Sequence, residues 1–252
     1  MESQPFALRN KYWVLRHGRS VPNERGLIVS SLTHGKLPEY GLAPEGVQQA
    51  KAAGESFLMN FVATKELKTN NIALENVRIC YSPFARTRET AEVVASVLNI
   101  PFGSQLCKEM EDLRERFFGP TFELLSHEKY SEIWALDEVD PFMAPEGGES
   151  VADVSARLAK ALATMEAEFH GKTVSPLQCM IDLISCVMHE MFAVLVVSHG
   201  DPLQILQTIL QASTQNEYAS DLVSRIRGVI VPNILSQHRK HALLTGELRR
   251  VA

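Results

Sequence analysis

Three short apolar runs constrain this 252-residue chain more than anything else in it. Tyr12-Trp13-Val14-Leu15, Val77-Arg78-Ile79-Cys80-Tyr81 and Phe192-Ala193-Val194-Leu195-Val196-Val197 are rich in β-branched and aromatic residues and read as strands. Between them, apolar residues recur at helical spacing. Val47, Ala50, Ala53, Phe57, Leu58 and Phe61 share a face in a segment over 44–63 that Pro44 opens. The same spacing predicts helices over 86–98, 122–136, 150–169 and 202–211. Val151, Val154, Leu158, Ala161, Leu162 and Met165 form the stripe of the helix over 150–169. The tail over 242–251 holds a Thr245-Gly246 turn and room for a last strand. Strands alternating with helices of this length make βαβ units. The expected fold is α/β: a three-layer α/β/α sandwich around a mainly parallel central sheet.

The length suits one domain over 1–252, with a cap-like insertion over about 103–148. The segment over 171–191 is a second, unusual insertion, placed where a connection of a few residues is the norm. Its deletion is expected to leave fold and activity intact. Residues 177–197 are mostly apolar, but Asp182, His189 and Glu190 argue against a membrane span. Residues 1–10 lack the basic and apolar regions of a signal peptide. Cys80, Cys107, Cys179 and Cys186 show no Cys-x-x-Cys spacing, so reduced thiols and a cytoplasmic location are expected, with Cys179 and Cys186 as fillers on a helix face. A formal net charge of −5 speaks against nucleic acid or an anionic membrane as partner and leaves a homodimer open.

Each strand runs out at residues suited to chemistry. The first ends at Arg16-His17-Gly18, the second leads into Ser82-Pro83-Phe84-Ala85-Arg86, and the third ends at Ser198-His199-Gly200. A parallel sheet lines up the carboxyl ends of its strands along one edge. Two histidines and two arginines meeting there would form a cationic pocket that fits a phosphate in charge and donor geometry. A neutral imidazole in that pocket is a nucleophile. The His-Gly pair means little by itself: it recurs at His34 and His170, which follow no strand and read as loop residues. Arg88, Arg239-Lys240 and Arg249-Arg250 read as solvated charges.

At these residues the chain resembles the histidine phosphatase superfamily, also called phosphoglycerate mutase-like, in its branch with a short cap. Leu15-Arg16-His17-Gly18 with Ser20 and Asn23, Ser82-Pro83-x-x-Arg86-x-x-x-Thr90-Ala91, Leu113-Arg114-Glu115-Arg116-x-x-Gly119, Gly148-Glu149-Ser150 and Val197-Ser198-His199-Gly200 follow that family's landmarks in order. The resemblance implies that His17 becomes a phosphohistidine. Arg16, Arg86 and His199 would hold the phosphoryl oxygens, and Asn23 would add a polar contact. Glu115 would protonate the leaving oxygen and then activate water, for which its pKa must be raised by burial. Glu109, Glu111 and Asp112 compete for that role in the same segment. Arg116 could pair with Glu115 or touch substrate. No metal and no cofactor are implied.

The family hydrolyses phosphates or moves them within sugar acids. Its mutases carry a longer insertion with an additional arginine pair, whereas Arg116 and Lys129 are the Lys and Arg residues between Glu115 and Gly148 here. A phosphomonoesterase acting on a small phosphorylated metabolite is the favoured reading. A mutase, and a phosphate-binding module without turnover, are the alternatives. Arg19 stands where the family often has Glu or Gln; it either contacts a second anionic group on the substrate, the reading put forward for test, or simply faces water. Phe118, Phe122, Tyr130 and Trp134 are expected at the mouth.

Overall fold

The computed structural model describes residues 8–66, 74–169, 192–214 and 222–251. The segment over 171–191, His170, Cys179 and Cys186 lie outside the described residues.

Five strands build one sheet: β1 (Lys11–Arg16), β2 (Val77–Tyr81), β3 (Cys107–Glu109), β4 (Ala193–Ser198) and β5 (Leu248–Arg250). Their order is β3-β2-β4-β1-β5. The first four run parallel, and β5 pairs antiparallel with β1. The helices are α1 (Val21–Arg25), α2 (Leu32–Gly35), α3 (Pro44–Glu66), α4 (Ala85–Val97), α5 (Tyr130–Val139), α6 (Val151–Glu168), α7 (Gly200–Thr214), α8 (Leu222–Val229) and α9 (Pro232–Leu235).

Burial on both faces of the pleat explains why the three central strands β1, β2 and β4 are mostly apolar. Tyr12, Val14, Cys80, Val194 and Val196 face a core completed by α6, α7 and α8 through Val154, Leu158, Leu162, Ile205, Ile209 and Ile226. Trp13, Leu15, Ile79, Leu195 and Val197 point the other way, onto Ala53 and Phe57 of α3 and Ala91, Val94 and Ala95 of α4. Both faces are covered, which is the expected three-layer sandwich. Phe192 to Val197, the end of the apolar stretch over 177–197, belongs to the buried centre of the sheet. Among the described residues no helix is long and apolar enough to cross a membrane.

Two elements differ from expectation. The edge strand β3, inside the span read as an insertion, is three residues long and too short to leave a pattern. The helix expected over 122–136 starts eight residues late, at Tyr130. Leu124 takes a left-handed φ of 62°. Glu123 turns its carboxylate back onto the backbone and hydroxyl groups of Ser30 and Ser31 and onto His34 Nδ1. These bonds hold 122–125 out of a helix, a single 3₁₀ turn follows at His127–Lys129, and Ile28, Phe118 and Ile133 form a small separate core, with Phe122 and Tyr130 packed on it.

Candidate active site

The ladder of the sheet continues one residue past its strands. His17 N–H donates to Ser198 O (3.0 Å) and Ser82 N–H donates to Val197 O (3.1 Å), so three strand ends are pinned side by side. The turn after His17 needs glycine for space: a Cβ at Gly18 would lie 2.2 Å from the carbonyl oxygen of Gly46 in α3. Gly18 N–H donates to Thr90 of α4 (3.1 Å). Ser20 and Asn23 then cap α1 reciprocally, which fixes Asn23. The first turn of α4 delivers Arg86, whose Nη2 donates to Val29 O (3.0 Å).

At the centre, Arg86 Nε lies 3.1 Å from His17 Nε2 and 3.2 Å from His199 Nδ1. An arginine N–H can only donate, so both ring nitrogens are lone-pair acceptors. His17 Nδ1 lies 2.7 Å from Gly18 O and must carry that ring's proton. His199 Nε2 lies 2.8 Å from Ser82 Oγ and carries the other. Both imidazoles are therefore neutral. Burial first, then the neighbouring Arg86, keeps each pKa well below the usual histidine range. His17 thus presents an unprotonated Nε2 beside a guanidinium.

A small cleft opens over this group, lined by Arg16, His17, Ser20, Pro22, Asn23, Leu27, Val29, Arg86, Glu115, His127 and Tyr130. Arg16 Nη1 donates to Leu243 O (2.7 Å), while Arg16 Nε and Arg86 Nη1 are buried with no hydrogen-bond partner. Two orphaned cationic donors at one cleft suit an anion with several oxygens, since a buried donor left unpaired is costly. Asn23 Oδ1 is taken by Ser20, which leaves its amide nitrogen as a further donor.

Glu115 is buried, with Oε2 at 3.6 Å from Arg86 Nη2 and 3.7 Å from His199 Nδ1. Burial pushes its pKa up to about 7 against the pull of Arg86, with Asp201 adding to the rise. Its competitors are placed elsewhere: Asp112 pairs with Lys160, and Glu109 and Glu111 do not line the cleft. Arg116 is not brought to the cleft, contrary to the reading that it touches substrate. It is fully buried, its fork bound bidentately to Asp137 (2.6 and 2.8 Å), with Asp201 at 3.5 Å. Burial alone would raise the Asp137 pKa, but the His238 ring 3.5 Å away and the two hydrogen bonds from Arg116 outweigh it and hold Asp137 below the usual carboxylate range. Replacing Asp137 with Asn should leave a buried guanidinium with the more distant Asp201 carboxylate (3.5 Å) in place of its bidentate counter-charge. A loss of about 3 kcal/mol or more is expected, read as a lower denaturant midpoint.

Of the two readings of Arg19, the placement agrees with the one that turns it to the surface and not with a substrate contact. Its Nη1 pairs with Glu45 at the surface (3.2 Å), and it does not line the cleft. Arg88 pairs with Glu92 on an exposed helix face, as expected of a solvated charge. Arg239 and Arg249 do more: Arg239 stacks 3.8 Å over the Trp134 ring, and Arg249 donates to Gln207 and to Ala242 O. Of the aromatic residues expected at the mouth, Tyr130 lines the cleft, whereas Phe118 is buried beneath it. His127 carries no signal in the sequence, and nothing there marks Ser82 as the partner of His199, because both roles come from contacts made across long stretches of chain.

Comparison with known proteins points the same way. The model of the Histidine phosphatase superfamily (branch 1) matches residues 12–227. No curated protein sequence matches the chain at a significant level. Among solved structures, the mycobacterial glucosyl-3-phosphoglycerate phosphatase is 20% identical, with a TM-score of 0.54 over 86% of this chain and 84% of that one. The product of an open reading frame of Mycobacterium tuberculosis is 21% identical, with a TM-score of 0.55 over 95% of this chain and 89% of the other. A structure named mycobacterial hydrolase 2 is 22% identical, with a TM-score of 0.54 over 86% and 76%. These are likenesses of fold.

Proposed function

The chain belongs to the histidine phosphatase superfamily, branch 1, and from that premise we propose that it hydrolyses phosphomonoesters through a phosphohistidine on His17, without a metal. The observation that carries this reading is the convergence of the His17 Nε2 lone pair with the unpartnered donors Arg16 Nε and Arg86 Nη1 at one cleft. In the first step Nε2 forms a bond to phosphorus as the ester P–O bond breaks, and the proton of Glu115 passes to the leaving oxygen. In the second, water attacks phosphorus, the P–N bond breaks, and Glu115 takes a proton from the water. Bonding phosphorus uses up the Nε2 lone pair that Arg86 Nε contacts, which frees that N–H for a phosphoryl oxygen. A dianion beside His199 favours its protonation at Nδ1, making it a further donor. Phosphoryl transfer is mainly positioning and charge stabilisation, which His17, Arg16, Arg86, His199 and Glu115 can supply between them.

Hydrolysis is favoured over mutase chemistry by what the cap lacks. Arg116 is spent inside the protein, and Lys129 pairs with Glu132 at the surface. Neither is placed to hold the second acidic group that a mutase must grip. The phosphatase named among the structural neighbours fits this choice. A binding module without turnover has no use for an acid poised near pH 7 beside an unprotonated nucleophile. Buried free thiols at Cys80 and Cys107 are in keeping with the cytoplasm as its location.

The test is hydrolysis of a chromogenic aryl phosphate in the presence of a chelator, comparing the wild type with His17→Ala. Chelator-resistant turnover that vanishes in His17→Ala is expected. Turnover that survives in the variant, or that the chelator removes, would overturn the reading.

A further inference from the structure

Beyond the phosphoryl pocket the cleft is walled by Pro22, Asn23, Leu27, His127 and Tyr130. Leu27 and His127 are held together by a short cross-chain pairing. Ile28 N–H donates to Leu125 O (2.8 Å), Leu124 N–H to Ile28 O (2.8 Å) and His127 N–H to Gly26 O (2.9 Å), with Leu27 and Ser126 bridged between them. His127 Nε2 lies 2.7 Å from Leu27 O, so Nε2 carries the proton and Nδ1 keeps its lone pair. Burial first, and Arg16 and Arg86 after it, hold the His127 pKa below the usual histidine range despite that bond. Tyr130 packs against the His127 ring at 5.3 Å, and burial and Glu115 push its phenol pKa up. The wall is therefore neutral. The neighbouring cations are not part of it: Arg19 turns to Glu45, Arg116 to Asp137 and Lys129 to Glu132, while Arg25 lies outside the lining.

The charge balance follows. A phosphate dianion takes up the charge of Arg16 and Arg86, and the proton it draws onto His199 stays on a fully buried ring that does not line the cleft, so no positive charge is left facing the outer wall. A second anion on the leaving group would give up water to lie against Leu27 and Pro22, near a carboxyl group and with no cation on that wall to pair with. We infer that this cleft selects phosphomonoesters of uncharged alcohols or phenols over esters whose leaving group carries a further negative charge, and that the neutral wall of Leu27, His127 and Tyr130 sets this preference. The inference rests on the phosphatase reading. A hydroxyl or amide N–H of the leaving group would find an acceptor in His127 Nδ1, whereas a carboxylate would meet lone pair against lone pair.

The experiment compares kcat/KM for phenyl phosphate and 4-carboxyphenyl phosphate, two esters with similar leaving groups that differ by one carboxylate. The wild type is expected to favour phenyl phosphate by about tenfold or more, mostly through KM. In His127→Lys the ratio should collapse toward one or invert, and Leu27→Lys, on the same wall, should move it in the same direction. His127→Gln, which stays neutral, should keep the preference. Each ratio is internal to one protein, so differences in folded fraction cancel. Equal kcat/KM for the two esters in the wild type, or a ratio that neither lysine variant shifts, would overturn the inference alone. No His17-dependent turnover of either ester would overturn the phosphatase reading and this inference with it.

Discussion

Mixed with an aryl phosphate, the Glu115→Gln protein is expected to accumulate as a phosphoenzyme labelled on His17. An aryl oxide leaves without being protonated, so the first half-reaction needs only the Nε2 lone pair and the donors around it. The second half-reaction needs a base for the attacking water, and a glutamine amide cannot take a proton. Steady-state turnover should therefore fall by about 10²–10⁴-fold while the burst of the first turnover survives. Rapid quenching followed by mass analysis should show one phosphoryl group on the protein, labile in acid and stable in base, as expected of a phosphoramidate. The effect should depend on the leaving group: with an alkyl ester, whose oxygen must be protonated to depart, the burst itself should be lost. His17→Ala should give neither burst nor label, and a loss of turnover of order 10⁴-fold or more is expected of a removed nucleophile. A label that persists in His17→Ala, or a Glu115→Gln enzyme that turns over at the wild-type rate without accumulating label, would refute the assignment of roles.

The residues that hold phosphorus in this scheme are legible in the sequence because each sits at a boundary with a local signature. Arg16, His17 and His199 follow strands whose apolar runs are unbroken, and Arg86 follows a Ser-Pro break in the first turn of a helix. The identity of the cleft's outer wall is not legible in the same way. His127 reaches it because residues 26–28 pair with 124–127, a contact between segments about a hundred positions apart that no local pattern announces. The helix expected over 122–136 is cut short for a related reason. Glu123 and Leu124 have ordinary helical surroundings in sequence, but the carboxylate of Glu123 finds five donors on Ser30, Ser31 and His34, and that tertiary demand overrides propensity. Arg116 is ambiguous in sequence because a guanidinium beside a candidate acid has the same local pattern whether it serves substrate or structure. The buried Asp137 that decides the matter comes from the cap helix α5.

Glu115 should also leave a signature in stability as a function of pH, with a sign opposite to that of an ordinary salt-bridged carboxylate. Its pKa is raised by burial from an ordinary 4.5 to about 7 in the folded protein. The folded state therefore holds a proton that the unfolded chain has given up across that interval. The stabilisation is fully present below about pH 4.5 and is lost as pH rises through about 7, a total of ~3 kcal/mol. His17 and His199 act in the other direction. Both are held well below the usual histidine pKa of 6.5, so the unfolded chain binds protons that the folded one refuses, and stability is lost as pH falls below 6.5. The fold should be most stable where these slopes cross, between about pH 6 and 7. Glu115→Gln removes the ionisation and keeps an oxygen to accept from Arg116 N–H, as Glu115 Oε1 does at 3.0 Å. The variant should melt several degrees above the wild type at pH 8, at roughly 2–4 °C per kcal/mol for a domain of this size, and the gap should close toward pH 5. The same proton should appear in kinetics: kcat/KM for an alkyl phosphate falls above about pH 7 in the wild type, and that limb is absent from the residual activity of Glu115→Gln. A variant that melts below the wild type at pH 8, or a wild-type profile with no limb near 7, would mean that Glu115 is ionised throughout and cannot be the acid. Activity and stability trade against each other at this one carboxyl group, because the burial that costs the fold at neutral pH is what keeps a proton ready for the leaving oxygen.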